Sequence, residues 1–264
     1  VMQVMPATAR DKAVNIPDIE KLENNIHAGI KYNRWVIDNF YNEPGITPRN
    51  RILFAFASYN AGPGRVAGLR KASPDVMVMQ LQLPASEVFK YHAGQYVEFI
   101  LRDGARRSYS MANAPHNLGS PPAIELHVRH MPGGRFTDHV FGAMKEKEIV
   151  RMEGPLGSFF LREDSDKPMV LLASGTGFAP IKAIIEQMQV SGISRPTLLY
   201  WGCRRRADLY LHDWAEAAAA QMPHLRYVPV LSESFDEGWS GRSGLARLPN
   251  IRRGNAARGV SASA

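Results

Sequence analysis

The chain has 264 residues, a net charge of +7, 45% apolar and 22% charged residues, an ordinary composition for folded domains and long enough for one large domain or two to three small ones. No apolar run approaches the roughly 20 residues that span a bilayer, and the basic excess is spread thinly, which argues against a nucleic-acid face. Cys203 is the only cysteine, so neither a disulfide framework nor a Cys-ligated iron–sulfur cluster is available, and the histidines show no metal-ligand spacing.

Residues 1–72 read as helical. IPDIEKLENNIHAGIKYNRWVIDNF carries Ile19, Leu22, Ile26, Ile30, Trp35 and Phe40 close to a 3.6-residue period. The loop NEPGITPRN follows, then the apolar helix RILFAFASY and the turn NAGPG. The next stretch, GPGRVAGLRKASPDVMV, reads both as a second, basic helix and as the first strands of an antiparallel sheet. A strand is favoured, because leaving it unmade would expose a neighbouring edge.

From Ser73 the texture is alternation. VMVMQLQL (76–83), QYVEFIL (95–101), RSYSMA (107–112) and IELHVRH (124–130) read as strands between Pro/Gly turns. His127 and His130 of HVRH read as polar residues on the surface of a strand, facing opposite ways. In RSYS, Arg107 and Tyr109 face one side, Ser108 and Ser110 the other. By itself this pattern fits strand packing as well as a binding surface. PGGRFTDHV sets Gly133, Gly134 and Thr137 before a short helix, either a plain helix entry or an anion-binding start. IVRMEGPLGSFFL closes the antiparallel block.

From Lys167 the period changes again. PMVLLAS (168–174) is a continuous apolar run of the buried parallel kind. It enters Gly175-Thr176-Gly177 and a helix near Pro180, the strand–turn–helix context of a dinucleotide pyrophosphate site or of a tight α/β turn. TLLYWG, LYLHDWAEAAAAQM and LRYVPVLS complete β-α-β-α-β, a doubly wound unit. After Gly238 the pattern fades into a small, polar tail expected to be disordered.

The ordered series AGQYVEF, RSYSMANAP, LHVRHMPGGRFTDHVF, GPLGSFFLRE, ASGTGFAPIKAIIE and LYWGCRRRADLYL resembles the ferredoxin–NADP reductase superfamily over about residues 65–245, within it the flavin reductases that serve deoxysugar dehydrases. The resemblance implies an FAD-binding barrel and an NAD(P)H-binding α/β domain, with electrons passed to a ferredoxin-like or dehydrase acceptor. It implies that Arg107 binds the FAD pyrophosphate, Tyr109 stacks on the flavin and Ser110 bonds near flavin N5. Gly133, Gly134 and Thr137 would cradle the phosphates. Gly175, Thr176 and Gly177 would bind the nicotinamide dinucleotide, with Arg204 and Ser232 near its ribose. The match stops beyond WSGRSG (239–244). Further strands of that family would pair beside PMVLLAS, so the resemblance implies an uncovered apolar edge, retained flavin binding and impaired hydride transfer.

VMQVMPATA, NIHAGIKY and FASYNAGPGRV resemble the C-terminal part of the soluble lytic transglycosylase domain, through Gln3, Met5 and Pro6 and then Tyr59, Asn60 and Gly62. Peptidoglycan is the ligand this implies, but none of Glu20, Glu23 or Glu43 matches the catalytic acid that glycosidic cleavage needs. The expected organisation is multidomain: a helical fragment over 1–64, an antiparallel FAD-binding barrel over 65–164, a truncated α/β NAD-binding domain over 165–250 and a tail over 251–264. No membrane or nucleic-acid partner is expected. Because no leader is visible and NAD(P)H is the expected cofactor, the cytoplasm is the expected compartment.

Overall fold

A computed structural model describes residues 4, 9–10, 12, 14–16, 18–40, 47–52, 63–83, 89–101, 103–233 and 238–244. They fall into two compact units, Val1–Lys167 with Thr176–Arg195, and Pro168–Gly175 with Pro196–Ala264.

In the first unit, helix α1 (Leu22–Phe40) leads. Its apolar period is real, but much of that stripe is open. Leu22, Ile26 and Ile30 are 64%, 43% and 57% exposed, while Ala28 and Val36 are buried. Among the described residues a small cluster, Val4, Ala9, Val14 and Ala28, packs at the buried side of the helix. The Phe40 side chain lies outside the described residues.

The ambiguous segment is strand β1 (Pro63–Ser73), which turns at Pro74–Asp75 into β2 (Val76–Gln82). Strands β3 (Tyr96–Ile100), β4 (Arg106–Ser110), β5 (Ala123–Arg129) and β6 (Ile149–Leu156) complete an antiparallel six-stranded sheet ordered β4-β3-β6-β1-β2-β5. A bridge between Met111 and Leu126 brings its two edges toward closure. Inside lie Val66, Met79, Leu81, Val97, Phe99, Leu126 and Met152, with Phe136 and Val140 of helix α2 (Arg135–Gly142). His127 corrects the surface reading of HVRH: it is buried at 3% exposure because its Nε2 meets Glu125 Oε1 at 2.9 Å. Helix α3 (Phe178–Val190) belongs to this same unit.

The second unit is a parallel sheet of β7 (Met169–Ser174), β8 (Thr197–Cys203) and β9 (Leu225–Leu231), extended by the short β10 (Arg242–Ser243), in the order β10-β9-β8-β7. Helix α4 (His212–Gln221) joins β8 to β9. Among the described strands β7 is an edge, and Val170 and Leu172 on it are 43% and 48% exposed. No helix among the described residues is long and apolar enough to cross a membrane.

Candidate active site

Antiparallel pairing fixes which way each RSYS residue looks. Tyr109 lies opposite Val97, Ser108 opposite Glu98 and Arg107 opposite Phe99. On one face Arg106 Nη1 and Ser108 Oγ each donate to the Glu98 carboxylate at 2.9 Å, and Arg106 also pairs with Glu153. These bonds, Arg106 first, hold the Glu98 carboxyl below its ordinary range. On the other face the Tyr109 ring sits 5.3 Å from Phe136 and 5.8 Å from Phe99. Burial pushes the Tyr109 phenol up to about 12, so it stays protonated at neutral pH. Arg107 is exposed, its Nη1 donating to the Arg106 carbonyl at 2.8 Å. Ser110, half-buried, ends the strand opposite Tyr96.

The glycine turn before α2 is closed by bonds of its own. Gly133 has a φ of +82° with nothing within 4 Å of where a Cβ would stand. At Gly134 a Cβ would come within 2.6 Å of Thr137 Oγ1 and 2.8 Å of the Met131 carbonyl, so only glycine fits. The buried Thr137 hydroxyl donates to the Met131 carbonyl (2.9 Å) and accepts from its N–H (3.2 Å). Gly133 N–H donates to Asp138 Oδ2 at 3.0 Å and Gly134 N–H to Met131 O at 2.8 Å. The Thr137 hydroxyl and the Gly133 and Gly134 N–H groups are therefore spent on shaping the loop. The first helical N–H groups, those of Arg135, Phe136 and Thr137, are the ones a helix cannot satisfy internally. Gly134 offers no capping side chain for them. Asp103, in the β3–β4 turn, pairs with Arg135 and ties that turn to the start of the helix.

Three further expected residues gather at the carboxyl ends of the parallel strands. Gly175 follows β7 and its carbonyl accepts from Trp201 Nε1 at 3.0 Å. Ser232 follows β9 and its N–H donates to the Cys203 carbonyl at 3.0 Å. Arg204 follows β8; its carbonyl accepts from Glu233 N–H at 2.8 Å, and its exposed guanidinium lies 3.9 Å from Asp208. Thr176 and Gly177 complete the turn that starts α3. Gln3, Tyr59 and Asn60 of the transglycosylase-like motifs, like Met5, Pro6, Gly62 and Glu43, lie outside the described residues. Among the described residues no group of three or more His, Cys, Asp or Glu side chains is placed to hold a metal.

Sequence reasoning missed the supporting shell. Phe99 and Phe136 back the Tyr109 ring, and a signal existed in their strand alternation and in the position of Phe136 two residues past the glycine pair. It also missed Lys182 and Glu186 on α3, both only 8% exposed. Their signal was a lone Lys/Glu pair inside the otherwise apolar run FAPIKAIIE.

An oxidoreductase FAD-binding domain model matches residues 63–161, and an oxidoreductase NAD-binding domain model matches 171–251. The chain thus carries an FAD-binding and an NAD-binding oxidoreductase domain in that order, with a ferredoxin reductase fold. Among its relatives is a CDP-6-deoxy-L-threo-D-glycero-4-hexulose-3-dehydrase reductase from Yersinia pseudotuberculosis, 40% identical over 69% of this chain and 54% of the relative. Reductase component 1 of a terephthalate 1,2-dioxygenase from Comamonas is 39% identical over 61% of this chain and 47% of the relative. The crystal structure of the Amycolatopsis cytochrome P450 reductase GcoB superposes with a TM-score of 0.61 at 38% identity, covering 69% of this chain and 54% of that one. The chain spans about half the length of these relatives. A transglycosylase SLT domain model matches residues 1–76. It overlaps the FAD-binding match across β1, where the structure forms the barrel strand.

Proposed function

We propose that this chain binds FAD on the antiparallel barrel and NAD(P)H at the carboxyl ends of β7 to β9, and passes electrons from the nicotinamide through the flavin to a one-electron acceptor protein. One observation carries the reading: strand β4 and the start of α2, the two elements a flavin dinucleotide needs, meet through the Tyr109–Phe136 ring contact at 5.3 Å and the Asp103–Arg135 pair. The residues present fit FAD, because the helix start is uncapped and the space over Gly133 is open. When bound, FAD supplies the redox chemistry, accepting a hydride and releasing electrons singly.

The chain's own residues bind and orient. Arg107 brings a guanidinium to the pyrophosphate, and the N–H groups of residues 135–137, with the positive end of α2, receive its oxygens. Tyr109 offers a ring face held against Phe99 and Phe136, and Ser110 a hydroxyl near flavin N5. Gly133, Gly134 and Thr137 shape the turn and keep it clear of side chains. Gly175, Thr176 and Gly177 receive the nicotinamide dinucleotide, with Arg204 and Ser232 toward its ribose. The acceptor is of ferredoxin-like or dehydrase type, and the NAD(P)H pool makes the cytoplasm the working compartment. With Val170 and Leu172 exposed on the β7 edge, FAD binding is expected to be the stronger of the two cofactor interactions. Purification of the full chain with excess FAD should give a yellow protein that NADH or NADPH bleaches anaerobically. A colourless chain that takes up no FAD contradicts the proposal.

The transglycosylase match over residues 1–76 supports a second reading, a peptidoglycan-binding segment without its catalytic acid. Glu20 and Glu23 are exposed and neither matches the position of that acid. Co-sedimentation of the full chain with purified murein would favour this reading, and a chain left in the supernatant removes it.

A further inference from the structure

Helix α3 follows the Gly175–Gly177 turn, yet its middle is fastened to the barrel. Lys182 Nζ donates to the Ala112 carbonyl at 3.1 Å and lies 2.6 Å from Glu186 Oε1 and 3.2 Å from Glu125 Oε1. Glu186 Oε2 accepts from Ala114 N–H at 2.8 Å and from Asn117 Nδ2 at 2.9 Å. Glu125 accepts in addition from His127 Nε2 at 2.9 Å and Gln80 Nε2 at 2.8 Å. Its own N–H donates to Asn113 Oδ1 at 2.8 Å, and the Asn113 carbonyl accepts from Tyr91 at 2.8 Å. Every carboxylate oxygen of Glu125 and Glu186 therefore has a donor.

Bulk stability does not explain such a cluster. Removing two carboxylates and an ammonium from water is costly, and apolar side chains of similar volume hold two elements together as well or better. Local helix stability does not explain it either, because Lys placed four residues before Glu is the weaker order for an isolated helix. What the cluster adds is register. One turn of α3 grips a carbonyl and an N–H two residues apart, at Ala112 and Ala114, and sliding the helix in either direction breaks both bonds. The gripped segment begins two residues after Ser110 of β4, and Lys182 stands five residues after Gly177.

We infer that Lys182 and Glu186 are positioning residues: they fix the Thr176–Gly177 turn in register with strand β4, and so align the hydride donor with its acceptor. The inference rests on the cofactor assignment proposed above. Its test compares the full chain with Lys182→Met/Glu186→Leu, which removes both charges together. The double variant should fold, retain wild-type FAD content and keep KM for NAD(P)H within about threefold, while flavin bleaching at saturating NAD(P)H slows by about tenfold or more, as small misplacements of reacting groups do. Wild-type bleaching in a folded, FAD-loaded double variant overturns the inference. Hydrogen exchange gives a readout that needs no cofactor: amides of residues 108–111 and 176–178 should exchange faster together, with β2 unchanged. If the wild-type chain itself binds no FAD, the cofactor assignment falls, and exchange alone then decides whether the two segments are coupled. Unchanged exchange overturns the inference. Should the double variant fail to fold, Asn117→Ala removes one donor to Glu186 without stranding a charge. It should slow bleaching and raise exchange in the same two segments by about two- to threefold, and wild-type values in both overturn the inference.

Discussion

The helical segment and the barrel both carry ordered motifs of known families, but they use their apolar residues in opposite ways. In the barrel, alternation delivers Val97, Phe99, Leu126 and Met152 to one shared interior, each at most 2% exposed. In α1 the same kind of periodic signal leaves Leu22, Ile26 and Ile30 on an open stripe, and the interior behind the helix is assembled from small residues such as Ala9 and Ala28. Periodicity states which residues share a face. Whether that face is buried depends on volume brought by other segments, and a single helix cannot bring it.

The largest expected contrast comes from truncating one large residue in each region. Phe99→Ala removes a buried ring stacked 4.6 Å from Phe136 and should cost about 3–5 kcal/mol in chemical unfolding. It should also release FAD, because Tyr109 loses part of its backing. A denaturation midpoint unchanged by Phe99→Ala would mean the barrel core is not the cooperative unit.

Acid should separate the two regions next. Burial works to raise the Glu125 carboxyl, but the His127 hydrogen bond and the Lys182 charge outweigh it and hold it at about 2, below the ordinary 4.5. Burial likewise lowers His127 below its ordinary 6.5. Both groups bind protons more weakly folded than unfolded, so both contribute stability at high pH that is lost on acidification. The His127 share is lost as pH falls below 6.5, the Glu125 share between 4.5 and about 2, the latter on the order of 3 kcal/mol. Glu125→Gln should flatten the lower limb of the pH–stability curve without altering the response of α1. A barrel equally stable at pH 7 and pH 3 would contradict the network as described.

Thr137→Val should cost about 1–2 kcal/mol, since it leaves the Met131 N–H without its buried partner and the Met131 carbonyl with the Gly134 N–H alone. It should also weaken FAD severalfold in a fluorescence titration by loosening the turn. The smallest effect belongs to the helix stripe. Ile26→Ser and Leu22→Ser should each change stability by less than about 0.5 kcal/mol. A loss above about 1 kcal/mol in either would show that a partner covers that face in solution.

Much of the fold was legible because its signals are local. Strand alternation gave β2 to β5 nearly residue by residue, and the unbroken run VLLA marked a parallel strand before the glycine turn, though its continuous apolar character did not tell that Val170 and Leu172 stay exposed. The double reading of RVAGLRKA was resolved by pairing to β2 and β6, long-range contacts that no local pattern contains. For the same reason the burial of His127 was missed: its polarity signals surface, and only Glu125 beside it and Lys182 from a distant helix make burial tolerable. Gly133, Gly134 and Thr137 mark a helix entry by residue type, but not how its polar groups pair. Which N–H groups remain open depends on the internal bonds of Thr137 and Asp138, and residue types alone do not show them.

The central claim is that the barrel binds a flavin dinucleotide between β4 and the start of α2. Titrating FAD into the full chain, with Arg107→Ala beside it, tests that most directly. The account predicts one FAD bound per chain with quenched flavin fluorescence, and an affinity at least about tenfold weaker when the Arg107 guanidinium is removed. No saturable FAD binding by the wild-type chain, or equal binding by Arg107→Ala, would contradict it.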